Sequence, residues 1–492
     1  MLRNLLNISF TILITILFLN CKKTNTASRP PNKPAIPSGP STGAKNTLYT
    51  FTTITTDPDK DGICYRFDWG DGDTSDWTPW VQSGSPGSAN HCWTTGGAYS
   101  VRAQAKDVQE LTSDWSEPHQ IAIVSTWSRT FGGTQSEWGS SVRVTADGGY
   151  IIAGSTASYG AGSYDVYLIK CDTGGHQKWS KTFGGGSADY GSAVEQTEDG
   201  GYIITGYTHS FGLGNSDVYL IKTDVNGNEE WTKTFGGSGL DDGYSVAKTK
   251  DGGYLITGGT NSYGAGFYDV YLIKVDAQGN LEWDTIYGGA ASEWGSSVQE
   301  AKDGNYIIAG STLSYGEGSY DVLFIKTTTS GRRRWLKTFG GPLADYGTAV
   351  QETRDGGYII AGYTYSFGAG GSDVYLVKTD ALGNQEWAKT FGGSDDDGAY
   401  AVQETEDGGY IIVGWTESYG AGRTDVYLIK TDASGNMLWS KTYGGLFSDY
   451  GSSVQKTMDE GYIITGCTYS YGIGQGDVYL IKTDASGNTQ NP

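Results

Sequence analysis

From Trp127 onward the apolar positions come in short runs, and the runs themselves repeat. One unit reads Trp-x-Lys-Thr-Phe-Gly-Gly, a variable stretch, Ser-Val-x-Glu-Thr, Asp-Gly-Gly-Tyr-Ile-Ile-x-Gly, a second variable stretch, and Asp-Val-Tyr-Leu-Ile-Lys-Thr-Asp. Its Trp recurs as Trp127, Trp179, Trp231, Trp283, Trp335, Trp387 and Trp439, always 52 residues apart and without insertion. Each unit holds four strand-like runs. In the second copy these are Ser192 to Thr197, Tyr202 to Gly206, Asp217 to Lys222 and Trp231 to Phe235. Asp199-Gly200 joins the first two and Asn226-Gly227 the last two, tight-hairpin chemistry in both cases. Val218-Tyr219-Leu220-Ile221 is apolar or aromatic on both faces, whereas a strand with one wet face would alternate. Strands buried on both sides suit a propeller, in which every blade packs against two others.

The array opens on the Trp127 strand alone and ends after Asp477 to Lys482, and one step beyond Trp439 the residue is Asn491. The first Trp strand is therefore expected to complete the last blade and close a ring of seven, where an open solenoid would need capping repeats. A longer echo is present as well. Gly154-Ser155-Thr156 with Ser163-Tyr164-Asp165 returns as Gly310-Ser311-Thr312 with Ser319-Tyr320-Asp321, three blades later.

Upstream the pattern changes. Arg3 precedes an apolar run from Ile8 to Leu19, and Cys21 follows, then Lys22-Lys23 and a polar stretch. The run is short for a membrane span and suits an export signal over residues 1–21, with a linker over 22–35. A Cys placed there resembles the lipobox of bacterial lipoproteins, although Leu19-Asn20 stand where small residues are usual. The resemblance implies lipidation at Cys21 and a chain tethered to the cell envelope, at the outer membrane or cell surface.

Residues 36–125 carry no copy of the repeat. Tyr65, Phe67 and Trp69 alternate and should enter one core together. Tyr65-Arg66-Phe67-Asp68-Trp69-Gly70-Asp71-Gly72, His91-Cys92-Trp93 and Gly97-Ala98-Tyr99-Ser100-Val101 resemble the PKD family of Ig-like β-sandwich domains. Trp69, Trp93 and Gly96 depart from the usual Phe, Tyr and Pro. The resemblance implies a spacer or adhesion module on an exported protein. Cys64 and Cys92 lie in this one domain, and an oxidising compartment would let them pair. Cys171 and Cys467 read as packing thiols. Asp57, Asp59 and Asp61 before Gly62 resemble the opening of a calcium loop, and the same order is also ordinary turn chemistry.

Composition narrows the picture further. With 76 Gly and 35 Tyr against 3 Met, and 18% charged residues, the chain suits many short strands and Gly turns rather than helix bundles. The expected class is all-β: an Ig-like sandwich, then a seven-bladed propeller of four-stranded blades over 126–490. A formal charge of −21 argues against a nucleic-acid partner and leaves cations and glycans open.

In such a blade both tight hairpins share one face, and the two variable stretches share the other, which is the candidate binding face. There an acid recurs as Glu137, Asp189, Asp241, Glu293, Asp345, Asp397 and Asp449. An aromatic follows as Trp138, Tyr190, Trp294, Tyr346 and Tyr450. Both sets should ring the channel mouth. The Ser-Tyr-Gly or Ser-Phe-Gly rings (Tyr159, Phe211 and their echoes) and the Asp that opens each third strand read as structural, since whatever repeats seven times is what every blade needs. Specificity is expected where copies differ: one position holds Ser155, Tyr207, Gly259, Ser311, Tyr363, Trp415 and Cys467, of which Tyr207, Tyr363 and Trp415 offer stacking surfaces.

His91, His119, His176 and His209 are scattered, with no zinc spacing, and no Gly-x-Ser-x-Gly elbow is present. Thr431-Asp432-Ala433-Ser434-Gly435-Asn436 before Trp439 resembles the sialidase Asp-box and the tryptophan-docking turn of quinoprotein propellers, structural elements in both families. The resulting expectation is a lipoprotein that is not an enzyme, has no cofactor beyond calcium, and binds a glycan or protein partner. The alternatives are a carbohydrate-active enzyme using channel-mouth carboxylates, and a structural envelope component.

Overall fold

The computed structural model describes residues 28–45 and 47–489. Cys21 and its apolar run lie outside the described residues. No helix among the described residues is long and apolar enough to cross a membrane. The chain divides into two compact units, with Leu48–Cys92 and Tyr99–Ile121 in the smaller and everything from Ala122 on in the larger.

The N-terminal region contains β1 (Thr42–Ala44), β2 (Tyr49–Thr53), β3 (Ile63–Asp68), β4 (Gly87–His91), β5 (Gly97–Asp107) and β6 (His119–Val124). β3 pairs antiparallel with β5, and β2 with β4 in a separate sheet. Tyr65, Phe67 and Trp69 are all buried, as their alternation requires. Phe67 stacks on Trp69 at 5.4 Å and Trp69 on His91 at 4.8 Å, while His91 Nε2 meets Asp71 at 2.7 Å. The Trp-Gly-Asp-Gly and His segments are thus two halves of one ring stack.

Two expectations for this domain are corrected. Cys64 and Cys92 are separate free thiols. A Cβ on Gly87 of β4 would lie 2.2 Å from the Tyr65 ring, so Tyr65 faces the β2–β4 sheet. Cys64, one residue earlier on β3, faces the other way, on the side where Arg66 lies over Trp77 and Trp115. Cys92 leaves the end of β4, in the sheet from which Cys64 points away. The Asp57, Asp59 and Asp61 oxygens do not converge on a cation either. Asp57 Oδ1 accepts the Asp59 and Asp61 N–H groups at 2.8 and 3.1 Å, and Asp59 is paired with Arg29 at 2.8 Å. The segment is an Asx-type turn, and no group of three or more metal-ligating side chains is present among the described residues.

The larger unit is the propeller. β7 (Trp127–Phe131) comes first, and blade 1 follows as β8 (Glu137–Val144), β9 (Tyr150–Thr156), β10 (Asp165–Cys171) and β11 (Gln177–Phe183). Equivalent antiparallel blades succeed it. The seventh has Asp449–Lys456, Tyr462–Thr468 and Asp477–Thr483, and takes β7 as its fourth strand with Lys482 opposite Trp127. The ring is closed by its first strand, as the Trp spacing requires.

Alternation along the second strand of each blade serves two neighbours at once. Ile151 packs toward blade 2 with Val194, Tyr202 and Ile204, whereas Ile152 packs toward blade 7 with Ile463, Val478 and Leu480. The Trp of each outer strand rests on the next blade's turn between its third and fourth strands. A Cβ on Gly227 would lie 2.6 Å from the Trp179 ring, and the φ of +74° there favours glycine independently. Each third strand also buries a Lys beneath the Asp of the hairpin joining the blade's first two strands, exemplified by Lys222 Nζ at 2.8 Å from Asp199.

One boundary differs from the sequence reading. The inner strand of blade 2 is Asp189–Gln196, three residues longer at its start than the run from Ser192. A bulge between Gly191 and Ala193, repeated in every blade, breaks the alternation that would have revealed the earlier part.

Candidate functional site

Because each inner strand starts at the acid, the acid and the residue after it point to opposite sides. The acid turns inward. Glu137, Asp189, Asp241, Glu293, Asp345, Asp397 and Asp449 are at most 1% exposed. Asp189 Oδ2 accepts the Gly185 N–H and the Ser210 hydroxyl, both at 2.7 Å. Glu137 accepts the Gly133 N–H at 2.8 Å and the Thr156 hydroxyl at 2.9 Å, and Glu293 does the same with Gly289 and Thr312. Asp345 holds Gly341 and Ser366, and Asp449 holds Gly445 and Ser470. The expectation of a carboxylate surface at Glu137, Asp189, Glu293, Asp345 and Asp449 is therefore corrected. These acids tie the loop entering a blade to the loop between its second and third strands.

The Asp opening each third strand is a second latch. Asp165 accepts the Ala161 and Gly162 N–H groups at 2.9 and 3.1 Å. Burial pushes the Asp321 carboxyl up to about 6 against the pull of the Glu317 N–H, and the nearby Asp345 charge adds to the rise. The Ser-Tyr-Gly rings brace the same loops, with the Tyr159 hydroxyl donating to the Gly132 carbonyl at 3.0 Å.

The residue after each acid turns toward the mouth, and here the rings form a collar. Tyr268, Trp294, Tyr320, Tyr346 and Tyr363 follow one another at centroid distances of 5.4, 5.6, 5.3 and 4.7 Å. Trp415 stands 6.4 Å beyond Tyr363. A second run joins Tyr164, Tyr190 and Tyr207 at 5.3 and 4.8 Å, and Trp138 lies 5.5 Å from Tyr450. The collar encloses a cavity of about 580 Å³ lined by Trp138, Tyr244, Trp294, Tyr346, Tyr363 and Tyr400. Between the rings stand the hydroxyl side chains Ser140, Ser296, Ser311, Thr348 and Ser452.

Below, a further cavity of about 450 Å³ continues along the inner strands. Its polar groups are engaged from blade to blade. Arg143 meets Glu195 at 2.7 Å, and Gln455 Oε1 accepts the Val144 N–H at 2.7 Å across the closing interface. The upper cavity is the one lined mainly by rings and serine hydroxyls.

Of the sequence candidates, Trp138, Trp294, Tyr346 and Tyr363 line the cavity together. Tyr190, Tyr207, Trp415 and Tyr450 belong to the collar without lining it. The collar rings Tyr164, Tyr268 and Tyr320 were not among the candidates, and three residues peculiar to single blades were missed as well. Tyr244 and Tyr400 enter the channel where the other blades have Ser or Thr, and Asp242 occupies the collar position of blade 3. Their signal was departure from the repeat, with Tyr244 and Tyr400 again three blades apart.

No protein-family model matches the chain, and no curated protein is similar to it. Among solved structures it is similar to the PKD domain of an M14-like peptidase from Thermoplasmatales archaeon SCGC AB-540-F20, with 39% identity, 20% of this chain and 98% of that chain covered, and a TM-score of 0.19. It is also similar to a Bacteroides eggerthii protein described as a bifunctional GH43-CE, with 12% identity, 92% of this chain and 64% of that chain covered, and a TM-score of 0.20. The chain is an all-β protein, a PKD-like domain followed by a propeller. The expectation that it is not an enzyme is corrected by the second likeness, to a protein described as bifunctional.

Proposed function

We propose that the collar end of the propeller channel recognises carbohydrate. The observation that carries this reading is one cavity of about 580 Å³ in which six aromatic side chains alternate with five hydroxyl-bearing ones. A pyranose presents an apolar C–H face and a rim of hydroxyls, and such a lining answers both. Ligand pockets usually measure roughly 300–1,000 Å³, so a few sugar units fit. The test is a glycan microarray probed with the full exported chain, and the retained glycans are then assayed for newly released reducing ends. Retention by wild type and its loss in Trp294→Ala supports the reading. An array on which no glycan is retained contradicts it.

We propose in addition that the chain is exported and held at the envelope through a lipid on Cys21, which leaves the propeller facing outward. Cys21→Ser should move the protein from the membrane fraction to the soluble one. An unchanged distribution contradicts the anchor.

A further inference from the structure

We infer that the carbohydrate taken at this mouth carries a free amino group, held as an ammonium by Asp242 within a cage of aromatic rings. The inference rests on the carbohydrate reading and names its substrate class. It starts from a break in the repeat. The collar position holds Trp138, Tyr190, Trp294, Tyr346 and Tyr450 in five blades and Gly398 in a sixth, and in blade 3 it holds Asp242. Register is unchanged there: Asp242 stands opposite Gly259 as Trp138 stands opposite Ser155.

The latch of blade 3 is complete without Asp242. Asp241 accepts the Gly237 N–H at 2.8 Å and the Ser262 hydroxyl at 2.5 Å. Asp242 is thus a second carboxylate, and its hydrogen-bond partners are the uncharged Ser216 and Tyr244 hydroxyls. Burial pushes its pKa up while those two hydroxyls pull it down. His209, the basic group whose charge reaches it, turns its own Nδ1 to the Asn215 carbonyl. Among the described residues no Lys or Arg is paired with Asp242 and none lines the cavity, beside which Asp242 stands at the collar position.

Rings surround it. Tyr207, Tyr244 and Tyr268 have hydroxyls raised by burial and then by the Asp242 charge. Trp294 lies across the bare Gly259, where a Cβ would be 2.7 Å from its ring. Aromatic faces around a carboxylate attract an organic cation, and burial strengthens that attraction. An anion is repelled by Asp242 and a neutral sugar offers it only hydroxyl donors, whereas an amino sugar can place its ammonium there as a charge-assisted donor and its ring on Trp294. The chain's charge of −21 favours approach of the same ligand.

The experiment is calorimetric titration of the full chain with glucosamine oligomers, their N-acetylated forms, and glucose oligomers of equal length. The free-amine oligomer should bind about tenfold or more tightly than the N-acetylated one. Asp242→Asn should erase that preference while keeping the binding shared with neutral oligomers. Asp242→Tyr, which installs the residue of blades 2, 5 and 7, should do the same, and a thermal melt of each variant checks folding. Equal binding of amine and N-acetyl oligomers, or a preference that survives in both variants, overturns the inference and leaves the carbohydrate reading intact. No binding of any oligomer overturns the inference, and the carbohydrate reading itself falls only if the array also retains no glycan.

Discussion

Asp345 and Tyr346 are neighbours on one inner strand with opposite tasks. Asp345 holds the Gly341 N–H and the Ser366 hydroxyl inside the blade, and Tyr346 faces the cavity. Asp345→Ala leaves one buried and one half-buried donor unmet and should cost about 1–3 kcal/mol by urea denaturation, with little change in sugar affinity. Tyr346→Ala should do the reverse, weakening sugar binding on the order of tenfold while the urea midpoint barely moves. If Asp345→Ala abolished binding in a fully folded protein, the assignment of the acid as a latch would be wrong. This division was hidden in the sequence because the strand was read from Ser192, three residues late, which placed Asp189 and its equivalents in a loop. The rings were legible, since five of seven copies spell them out. Tyr244, Tyr400 and Asp242 were not, since a consensus suppresses the positions where single copies differ. Whether Cys64 and Cys92 could meet depended on which face of β3 packs inward, a tertiary fact that spacing does not carry.

At the scale of the element, the turn after each third strand serves as a seat for the preceding blade's Trp. Gly279 has a φ of +74°, and its Cβ would lie 2.6 Å from the Trp231 ring, whereas Gly252 has a φ of +87° with nothing within 4 Å. Asn tolerates the left-handed backbone, so it separates strain from crowding. Gly279→Asn should lower the thermal midpoint well beyond Gly252→Asn, by about 1–3 kcal/mol of strain and lost packing. Equal effects would remove the seat from the account. The hairpins and third strands also fix the response to acid. Asp199, Asp251, Asp303, Asp355 and Asp407 are held down at about 2: their hydrogen bonds, including those from buried Lys, outweigh the opposing effect of burial. Against an unfolded value of about 3.9, their contribution is present above that pH and is lost as pH falls through about 2. Asp321, raised to about 6, works in the other sense, and its contribution is lost as pH rises through 6. The thermal midpoint should therefore rise from pH 7 toward pH 5 and fall below about pH 4. A flat profile over that range would contradict the pairing of Lys with Asp.

The whole propeller depends on one strand from its far end. β7 completes the seventh blade, and Val142 N–H, Val144 N–H and the Ile463 cluster join that blade to the first. This closure was legible from the Trp step and the Asn at 491 alone. Deleting residues 127–131 should leave the last blade three-stranded and make the chain melt lower and yield to protease first at residues 449–483. Unchanged protection there would mean the ring does not need its clasp. A closed ring also gives the collar its meaning, because rings from blades 1, 3, 4, 5 and 6 line one cavity only if the circle is complete.

The most direct test of that cavity as a carbohydrate site is calorimetric titration of the full chain and of Trp294→Ala/Tyr363→Ala with the oligosaccharide best retained on the array. Saturable binding at one site by the wild type, lost in a variant that melts at nearly the same temperature, is the result expected. Equal binding by the two proteins would place the carbohydrate elsewhere and contradict the account.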